Sequence, residues 1–181
     1  MTGYDLFKQF ESSVGYVWHA PDSQIYPELR RMAREGLLEG REVPWGARGR
    51  KVEYHVTQRG LEDFRSWMNK DLEYSRERDP AHLKAAYLEW AEPDSARRQL
   101  RAHRDYYAAR RAQWAEKVRE IDEGTSVMLN KRLSGLAEAD RPRAIAFKRY
   151  TYQGLVARAE QEIAWAEQGL DLIDSLDYSQ L

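Results

Sequence analysis

The sequence predicts a mainly α-helical protein made of a small N-terminal domain and a pair of long antiparallel helices. Glycine residues and alternating apolar residues lie mainly in the first 60 positions, whereas Ala, Glu, Arg, Leu and Gln at helical spacing dominate after about residue 70. Hydrophobic residues make up 42% and charged residues 33% of the 181 positions, which is typical of proteins with exposed helical surfaces. The change in composition predicts one domain over residues 1–72 and another over residues 80–178.

Two short helices are predicted to open the N-terminal domain. The first runs from residue 4 to about residue 12, and its apolar side holds Leu6, Phe7 and Phe10. The second follows Pro21, with Asp22 or Ser23 as its N-cap, and its apolar side holds Ile25, Leu29 and Met32. Gly36 is the expected end of this helix, because glycine readily adopts the left-handed conformation of the residue after a helix.

A β-hairpin and a third helix complete the N-terminal domain. Residues 37–43 and 50–57 are predicted strands, joined by a turn over residues 44–49, and the second strand alternates Val52, Tyr54 and Val56 with polar residues. Thr57 is expected to cap a helix from residue 58 to about residue 71, whose inward face holds Leu61, Phe64 and Met68. This order of elements is that of a winged helix-turn-helix domain, and it suggests no enzyme fold of this size.

The C-terminal domain is predicted to contain a short helix over residues 81–90 and two long helices. The first long helix opens at Pro93, ends near residue 123 and carries a seam of Ala96, Leu100, His103, Tyr107, Trp114, Val118 and Ile121. After an irregular stretch ending near Pro142, the second carries Tyr152, Leu155, Ala159, Ile163, Ala166, Leu170 and Ile173. Facing seams predict an antiparallel, coiled-coil-like hairpin. A second copy of the chain is expected to cover the remaining aromatic residues, among them Trp90, Tyr106, Tyr150 and Trp165.

One face of the second helix has the side chains expected of a helix that enters the major groove of DNA. Such a helix presents short polar and cationic groups from its first turns, and here these are Ser23, Gln24, Tyr26 and Arg30. The hairpin turn adds Arg48, Arg50 and Lys51, which can contact phosphates or a minor groove, and Lys8 is a further candidate phosphate contact. The alternatives are that Tyr26 packs against the hairpin and that the turn cations are simply solvated.

Four linked motifs in the N-terminal domain resemble the PadR family of bacterial transcriptional regulators. They are Thr2-Gly3-Tyr4-Asp5-Leu6, Gln24-Ile25-Tyr26-Pro27-Glu28-Leu29, Glu35-Gly36-Leu37-Leu38 and Gly49-Arg50-Lys51-Val52-Glu53-Tyr54-His55-Val56-Thr57. Residues 80–178 are similar to the helical C-terminal domain of one branch of that family, the virulence-activator type. The resemblance implies a homodimeric repressor that binds operator DNA, with Tyr26 at the DNA backbone. It also implies release by a small hydrophobic or aromatic effector, for which the candidate contacts are Trp67, Tyr87, Trp90, Tyr107 and Trp114.

The start of the sequence departs from the family pattern. Members normally have a Leu-rich helix before the Gly-Tyr pair, whereas only Met1 and Thr2 precede Gly3 here. Without that helix we expect Leu6, Phe10, Ile25 and Leu29 to be exposed to water. Either the true start lies upstream and is lost from this chain, or a C-terminal helix of this or a second chain covers them. The alternative function is therefore a helical protein–protein interaction module that has lost DNA binding.

Composition argues against several other classes of protein. The absence of cysteine excludes disulfides, thiolate metal sites and cysteine nucleophiles. The four histidines fall in different predicted elements, so no metal or cofactor is expected, and no catalytic motif indicates an enzyme. With a net charge of -1, any contact with DNA must come from local groups of cations. The sequence contains neither a signal peptide nor an apolar run of about 18 residues, so a cytoplasmic protein without membrane contact is expected.

Overall fold

A computed structural model describes residues 1–12, 21–46, 49–74, 76 and 78–176, apart from the side chains of residues 9–12 and 22. The chain divides into two compact units, Met1–Ser75 and Arg76–Leu181. Most of the described residues are helical, and the sheet they contain has two antiparallel strands, so the predicted mainly α fold class is confirmed. Within the described residues, no helix combines the length and the apolar character needed to cross a bilayer.

The described residues of the N-terminal unit form three helices and one hairpin. These elements are α1 (Gly3–Ser12), α2 (Asp22–Arg34), β1 (Leu38–Trp45), β2 (Gly49–Val56) and α3 (Gln58–Met68). The start of the chain lies beside the hairpin, because the Tyr54 N–H donates to the Met1 carbonyl at 2.7 Å and Thr2 forms a β-bridge with Glu53. The order of elements is that of the predicted winged helix-turn-helix domain.

The end of α2 was predicted correctly, and its start was not. Gly36 has a φ of +73°; its N–H donates to the Ala33 carbonyl and the Leu37 N–H donates to the Met32 carbonyl, which together form a Schellman motif. Neither Asp22 nor Ser23 is the N-cap. Pro21 occupies that position in an extended conformation, and no side chain caps the helix. The helix therefore begins one residue earlier than the side-chain signal suggested.

The hairpin extends further than predicted. Pro44 and Trp45 belong to β1 rather than to the turn, and they pair with Arg50 and Gly49. Proline is tolerated because both strands are edge strands of a two-stranded sheet. A side chain at position 49 is excluded because a Cβ there would lie 2.7 Å from the Trp45 carbonyl oxygen. The predicted turn residue Arg48 lies outside the described residues.

The third helix is capped as predicted but packs through a different face. The Gly60 N–H donates to the Thr57 hydroxyl oxygen at 3.0 Å, and that hydroxyl donates to the Gly36 carbonyl at 2.7 Å. The predicted inward residues Leu61, Phe64 and Met68 are instead 42%, 57% and 60% exposed. The helix approaches the hairpin through Gly60, where a Cβ would lie 2.2 Å from the Leu37 carbonyl oxygen. It also ends at Met68, before the predicted residue 71.

The core of the N-terminal unit is small. Its buried residues are Ile25, Leu29 and Leu38, with Leu6, Phe7, Met32, Ala33 and Tyr54 partly buried against them. The expectation that Ile25 and Leu29 would be exposed is therefore wrong, because α1 and the hairpin already cover this face. Leu6 is half-buried, and the side chain of Phe10 lies outside the described part. Val52 and Val56 remain 38% and 59% exposed, so the predicted buried face of β2 reaches the core only through Tyr54.

In the C-terminal unit, the part of the chain that the structure describes forms four helices and two short 3-10 turns. The helices are α4 (Pro80–Ala85), α5 (Pro93–Asp122), α6 (Val127–Ser134) and α7 (Arg141–Ser175), and the turns are Leu88–Trp90 and Glu138–Asp140. The single helix predicted over residues 81–90 is wrong, because the chain leaves helical geometry at Tyr87. The stretch predicted as irregular contains α6, which contacts α7 and buries Leu129.

The two long helices form the predicted antiparallel hairpin. Ion pairs join them along their length: Arg97 with Asp174, Arg111 with Glu160 and Asp122 with Arg149. His103 Nε2 also lies within hydrogen-bond distance of Glu162 Oε2, at 3.0 Å. The predicted seams supply most of the buried residues of the long helices, which are Ala96, Leu100, Trp114 and Ile121 in α5 and Tyr152, Ala159, Ala166 and Ile173 in α7. Ala144 of α7, outside the predicted seam, is buried as well. The alanines allow the two helices to approach closely.

We expect Gly60→Ala and Gly154→Ala to change stability in opposite directions. Alanine favours a helix over glycine by about 1 kcal/mol. A Cβ at position 154 meets no heavy atom within 4 Å, so this substitution should raise the free energy of unfolding. At position 60 the clash with the Leu37 carbonyl should lower it by about 2 kcal/mol. Thermal unfolding followed by circular dichroism measures both changes, and an unchanged midpoint for Gly60→Ala would contradict the close approach of α3.

Candidate nucleic-acid interface

The exposed face of α2 holds four of the predicted contact residues. Ser23, Gln24 and Arg30 are exposed, and Tyr26 is 40% exposed. Ile25 and Leu29 are buried on the other side of the same helix. The helix therefore cannot rotate about its axis without exposing core residues. Ser23 and Gln24 lie in the first turn, at the positive end of the helix dipole.

The Thr2-Gly3-Tyr4-Asp5 motif fixes the start of α1 and gives Tyr26 a surface to pack on. The Thr2 hydroxyl donates to Asp5 Oδ2 at 2.8 Å, and the Asp5 N–H donates back to the Thr2 hydroxyl oxygen at 3.2 Å. This is a capping box, and its hydrogen bonds hold the pKa of the Asp5 carboxyl below the usual value. A Cβ on Gly3 would lie 2.5 Å from Cε1 of Tyr26, so only glycine lets the ring lie there. The ring of Tyr26 thus packs on α1 while part of it stays exposed.

Arg50 and Lys51, the two described cations among those predicted in the hairpin, lie on opposite faces. Arg50 Nη1 lies 2.7 Å from Glu42 Oε2, and both side chains are well exposed. Lys51 is half-buried, with its Nζ 4.3 Å from the centroid of the Trp45 ring. Successive residues of a strand point to opposite faces of the sheet. The side chains of the two cations therefore leave the hairpin on opposite sides. The position of Arg48, the third predicted cation, lies outside the described residues.

The remaining cations of the N-terminal unit have different partners. Lys8 is exposed, and its Nζ lies 4.8 Å from the centroid of the Tyr4 ring in α1. Arg31 binds Glu28 and Glu35 on its own helix, as expected for a residue paired along the helix surface. Lys8 is thus an exposed cation in contact with a ring, and Arg31 is paired with two carboxylates.

The five aromatic residues predicted to contact an effector fall in several places. In the C-terminal unit, Trp90 lines a groove of about 960 Å³, and Tyr107 lines another cavity of about 450 Å³. Tyr87 is 61% exposed, and Trp114 is buried, with an indole N–H that finds no acceptor among the described residues. Trp67, in the N-terminal unit, stacks on Phe64. The structure therefore brings no more than one of them to the larger groove.

Sequence reasoning missed two residues of that larger groove. His82 stacks on Trp165 with ring centroids 4.1 Å apart, and the Asp79 carboxylate lies 2.7 Å from His82 Nδ1. Leu100 and Leu172 add apolar surface to the same wall. Trp165 precedes the seam residue Ala166, and this position beside the seam was the available signal. In the described ranges, no three His, Asp or Glu side chains come close enough to hold a metal ion.

Comparison with known sequences finds relatives of the N-terminal unit. Residues 1–66 match the transcriptional regulator PadR-like family. The chain is 34% identical over 68 residues to the negative transcriptional regulator PadR of Bacillus subtilis, covering 38% of this chain and 37% of that protein. It is 31% identical over 75 residues to the probable transcriptional regulator Rv1176c of Mycobacterium tuberculosis, covering 41% and 40%. The matches thus span about two fifths of these relatives. Family and relatives are described as regulators and not as enzymes, in agreement with the expectation from sequence.

Comparison with solved structures extends the likeness to the whole fold. Bacillus subtilis PadR in complex with operator DNA gives a TM-score of 0.74 at 19% identity, covering 95% of this chain and 90% of that one. The Vibrio cholerae virulence activator AphA gives 0.66 at 23% identity, covering 97% and 91%. Bacillus subtilis PadR in complex with p-coumaric acid gives 0.60 at 21% identity, covering 97% and 91%. The fold is the winged-helix fold with long C-terminal helices, and residues 1–66 are similar to the transcriptional regulator PadR-like family.

Proposed function

We propose that this protein is a sequence-specific DNA-binding repressor that works as a homodimer in the cytoplasm and is released by a small aromatic or hydrophobic effector. The observation that supports DNA binding most directly is the division of α2 into two faces. Ile25 and Leu29 are buried, whereas Ser23, Gln24 and Arg30 are exposed. These are the side chains that hydrogen-bond to base edges and phosphates in a major groove.

The hairpin would contact the DNA beside the groove occupied by α2. Arg50 is largely exposed, and its partner Glu42 is exposed as well, so water already weakens this ion pair. A phosphate can therefore replace the carboxylate at little cost. Tyr26 and Lys8 are proposed as further contacts to the DNA backbone, since both combine an exposed polar group with a ring contact that orients it. Arg48 is also proposed as a DNA contact, because of its position in the sequence.

We expect the protein to bind the DNA upstream of its own gene, with an affinity that falls steeply as salt rises. Arg50→Ala should weaken binding to every sequence and reduce the slope of log affinity against log salt by about one, because one phosphate contact is lost. Gln24→Ala should instead change which base-pair substitutions are tolerated. Lys131→Ala, which removes an exposed cation of α6, serves as the control and should change neither property.

Gel-shift titrations at several salt concentrations, with single-base variants of the fragment, measure these effects. Absence of binding by the unsubstituted protein would overturn the proposed function. A change caused by Lys131→Ala equal to that caused by Arg50→Ala would show that the cations act through total charge rather than through the hairpin.

We propose a homodimer because aromatic side chains of the C-terminal unit stay exposed in a single chain. Tyr150 of α7 is 73% exposed and Tyr106 of α5 is 54% exposed. Both lie on helices whose other faces are already paired with each other, so a second copy is the natural cover for them. A two-fold dimer would also present two copies of α2 to successive half-sites of an operator.

We expect sedimentation velocity to give twice the chain mass of 21.3 kDa. Tyr150→Glu should shift the population toward the monomer, because it places a charge in an apolar contact. Gln161→Glu, at an exposed position of the same helix, is the control and should leave the dimer intact. A monomer at micromolar concentration without any substitution would contradict the proposal.

The groove of the C-terminal unit is the proposed effector site. Trp90, Trp165 and His82 supply flat walls, and Leu100 and Leu172 supply apolar contacts, which suits a planar aromatic ligand. The relative solved with p-coumaric acid suggests a hydroxylated aromatic acid as the first probe. Binding there would release DNA by favouring another arrangement of the dimer. Contacts from Trp67, Tyr87, Tyr107 and Trp114 stay predictions.

We expect calorimetry to detect binding of p-coumaric acid, and Trp90→Ala to weaken it about tenfold, which corresponds to 1.4 kcal/mol. Val127→Ala removes an apolar side chain that is 78% exposed and lies outside the groove, so it should leave the affinity unchanged. Equal affinities for Trp90→Ala and the unsubstituted chain would exclude this groove as the site for that ligand.

A further inference from the structure

The end of the hairpin carries an exposed indole that the core of the N-terminal unit does not use. Trp45 is the last residue of β1 and is 59% exposed. Residues directly opposite each other across β1 and β2 share a face, and by this register Trp45 and Lys51 lie on the face turned away from Leu38 and Tyr54. The other described positions of this outer face are mostly charged, so folding alone does not explain an aromatic side chain there.

One contact and two backbone features restrict this indole. The Nζ of Lys51 lies 4.3 Å from the centroid of the ring, which is a cation–π distance. Pro44, directly before it, has a fixed φ and stiffens the strand. Gly49, directly opposite, would place a Cβ 2.7 Å from the Trp45 carbonyl oxygen and 3.4 Å from Cδ1. The ammonium therefore lies over the ring in a restrained geometry.

The charge around the indole is positive. Residues 44–51 contain three basic residues and no acidic residue. In the described part of the hairpin, Arg50 has a carboxylate partner in Glu42, whereas Lys51 contacts the Trp45 ring and forms no ion pair with a carboxylate. The polymer that matches an apolar ring beside an ammonium is the DNA backbone, which alternates deoxyribose with phosphate.

We propose that Trp45 and Lys51 act together as a DNA contact, in which the indole packs on a deoxyribose at the edge of the minor groove and the ammonium binds the adjoining phosphate. This rests on the proposed function, because it takes DNA as the ligand of the hairpin. The indole adds apolar contact, which does not depend on salt, to an interface otherwise built from cations. The indole also determines which face of the hairpin makes the contact, because the ring lies on one face only.

The test uses the full chain and two duplex probes, the fragment upstream of its own gene and a random-sequence duplex of equal length. Trp45→Ala should lower the affinity for both about tenfold, as expected for the loss of an aromatic contact, while leaving the salt slope unchanged. Trp45→Phe should recover most of that affinity because it keeps a ring. Lys51→Ala should reduce the salt slope by about one. Tyr74→Ala removes another exposed aromatic side chain of the same unit and should leave binding unchanged.

Tryptophan emission provides a readout that a purely structural role would not change. The emission change on addition of DNA should be smaller in Trp45→Phe than in the unsubstituted chain. If that chain binds DNA and Trp45→Ala binds equally well, the inference is wrong and the regulator function stands. If Trp45→Ala reduces the salt slope as much as Lys51→Ala does, the indole only positions the ammonium, which overturns the deoxyribose contact. If the unsubstituted chain binds neither duplex, the proposed function fails and this inference fails with it.

Discussion

Burial of Ile25 and Leu29 is the constraint on which the proposed DNA-reading surface depends. These two side chains fix the rotation of α2 about its axis, because any other rotation would expose them to water. The core that holds them is small, so it depends on close backbone approach rather than on many large side chains. Gly3 lets the ring of Tyr26 lie against α1, and Gly60 lets α3 approach the carbonyl of Leu37. The directions in which the side chains of Gln24 and Arg30 point are thus set by Ile25, Leu29 and the two glycines, which lie outside the proposed DNA contact.

Much of the fold could be predicted from sequence because its signals are local. Helical periodicity identified both seams of the long hairpin, and the end signal at Gly36 and the cap at Thr57 lie where short-range hydrogen bonding requires them. The errors concern features decided by tertiary contacts. Apolar spacing placed Leu61 and Phe64 inward, but α3 packs through Gly60, which has no side chain to contribute to such a pattern. Similarly, the residue type of Pro44 favours a turn, and only its pairing with the opposite strand shows that it belongs to β1.

The candidate site, like the fold, could be predicted where its signals are local and not where it depends on contacts between elements. The polar face of α2 follows from the spacing of its apolar residues, so Ser23, Gln24 and Arg30 could be selected from sequence. The contact of Lys51 with Trp45 and the stacking of His82 on Trp165 join residues from different elements, and no local pattern indicates them. The effector prediction failed to define one place for the same reason, since aromatic residues at helical spacing do not indicate which of them share a groove.

The hydroxyl of Thr57 links three elements of the N-terminal unit through its hydrogen bonds. It accepts the N–H of Gly60 in α3 and donates to the carbonyl of Gly36, where α2 has just ended and β1 is about to begin. The end of α2, the start of β1 and the first turn of α3 therefore share one hydrogen-bonded point, so a tilt of one of these elements would strain the contacts of the others. In the regulator proposed above, a signal would then move α2 and the hairpin together, and it would act on the spacing between the two copies of this unit in the proposed dimer.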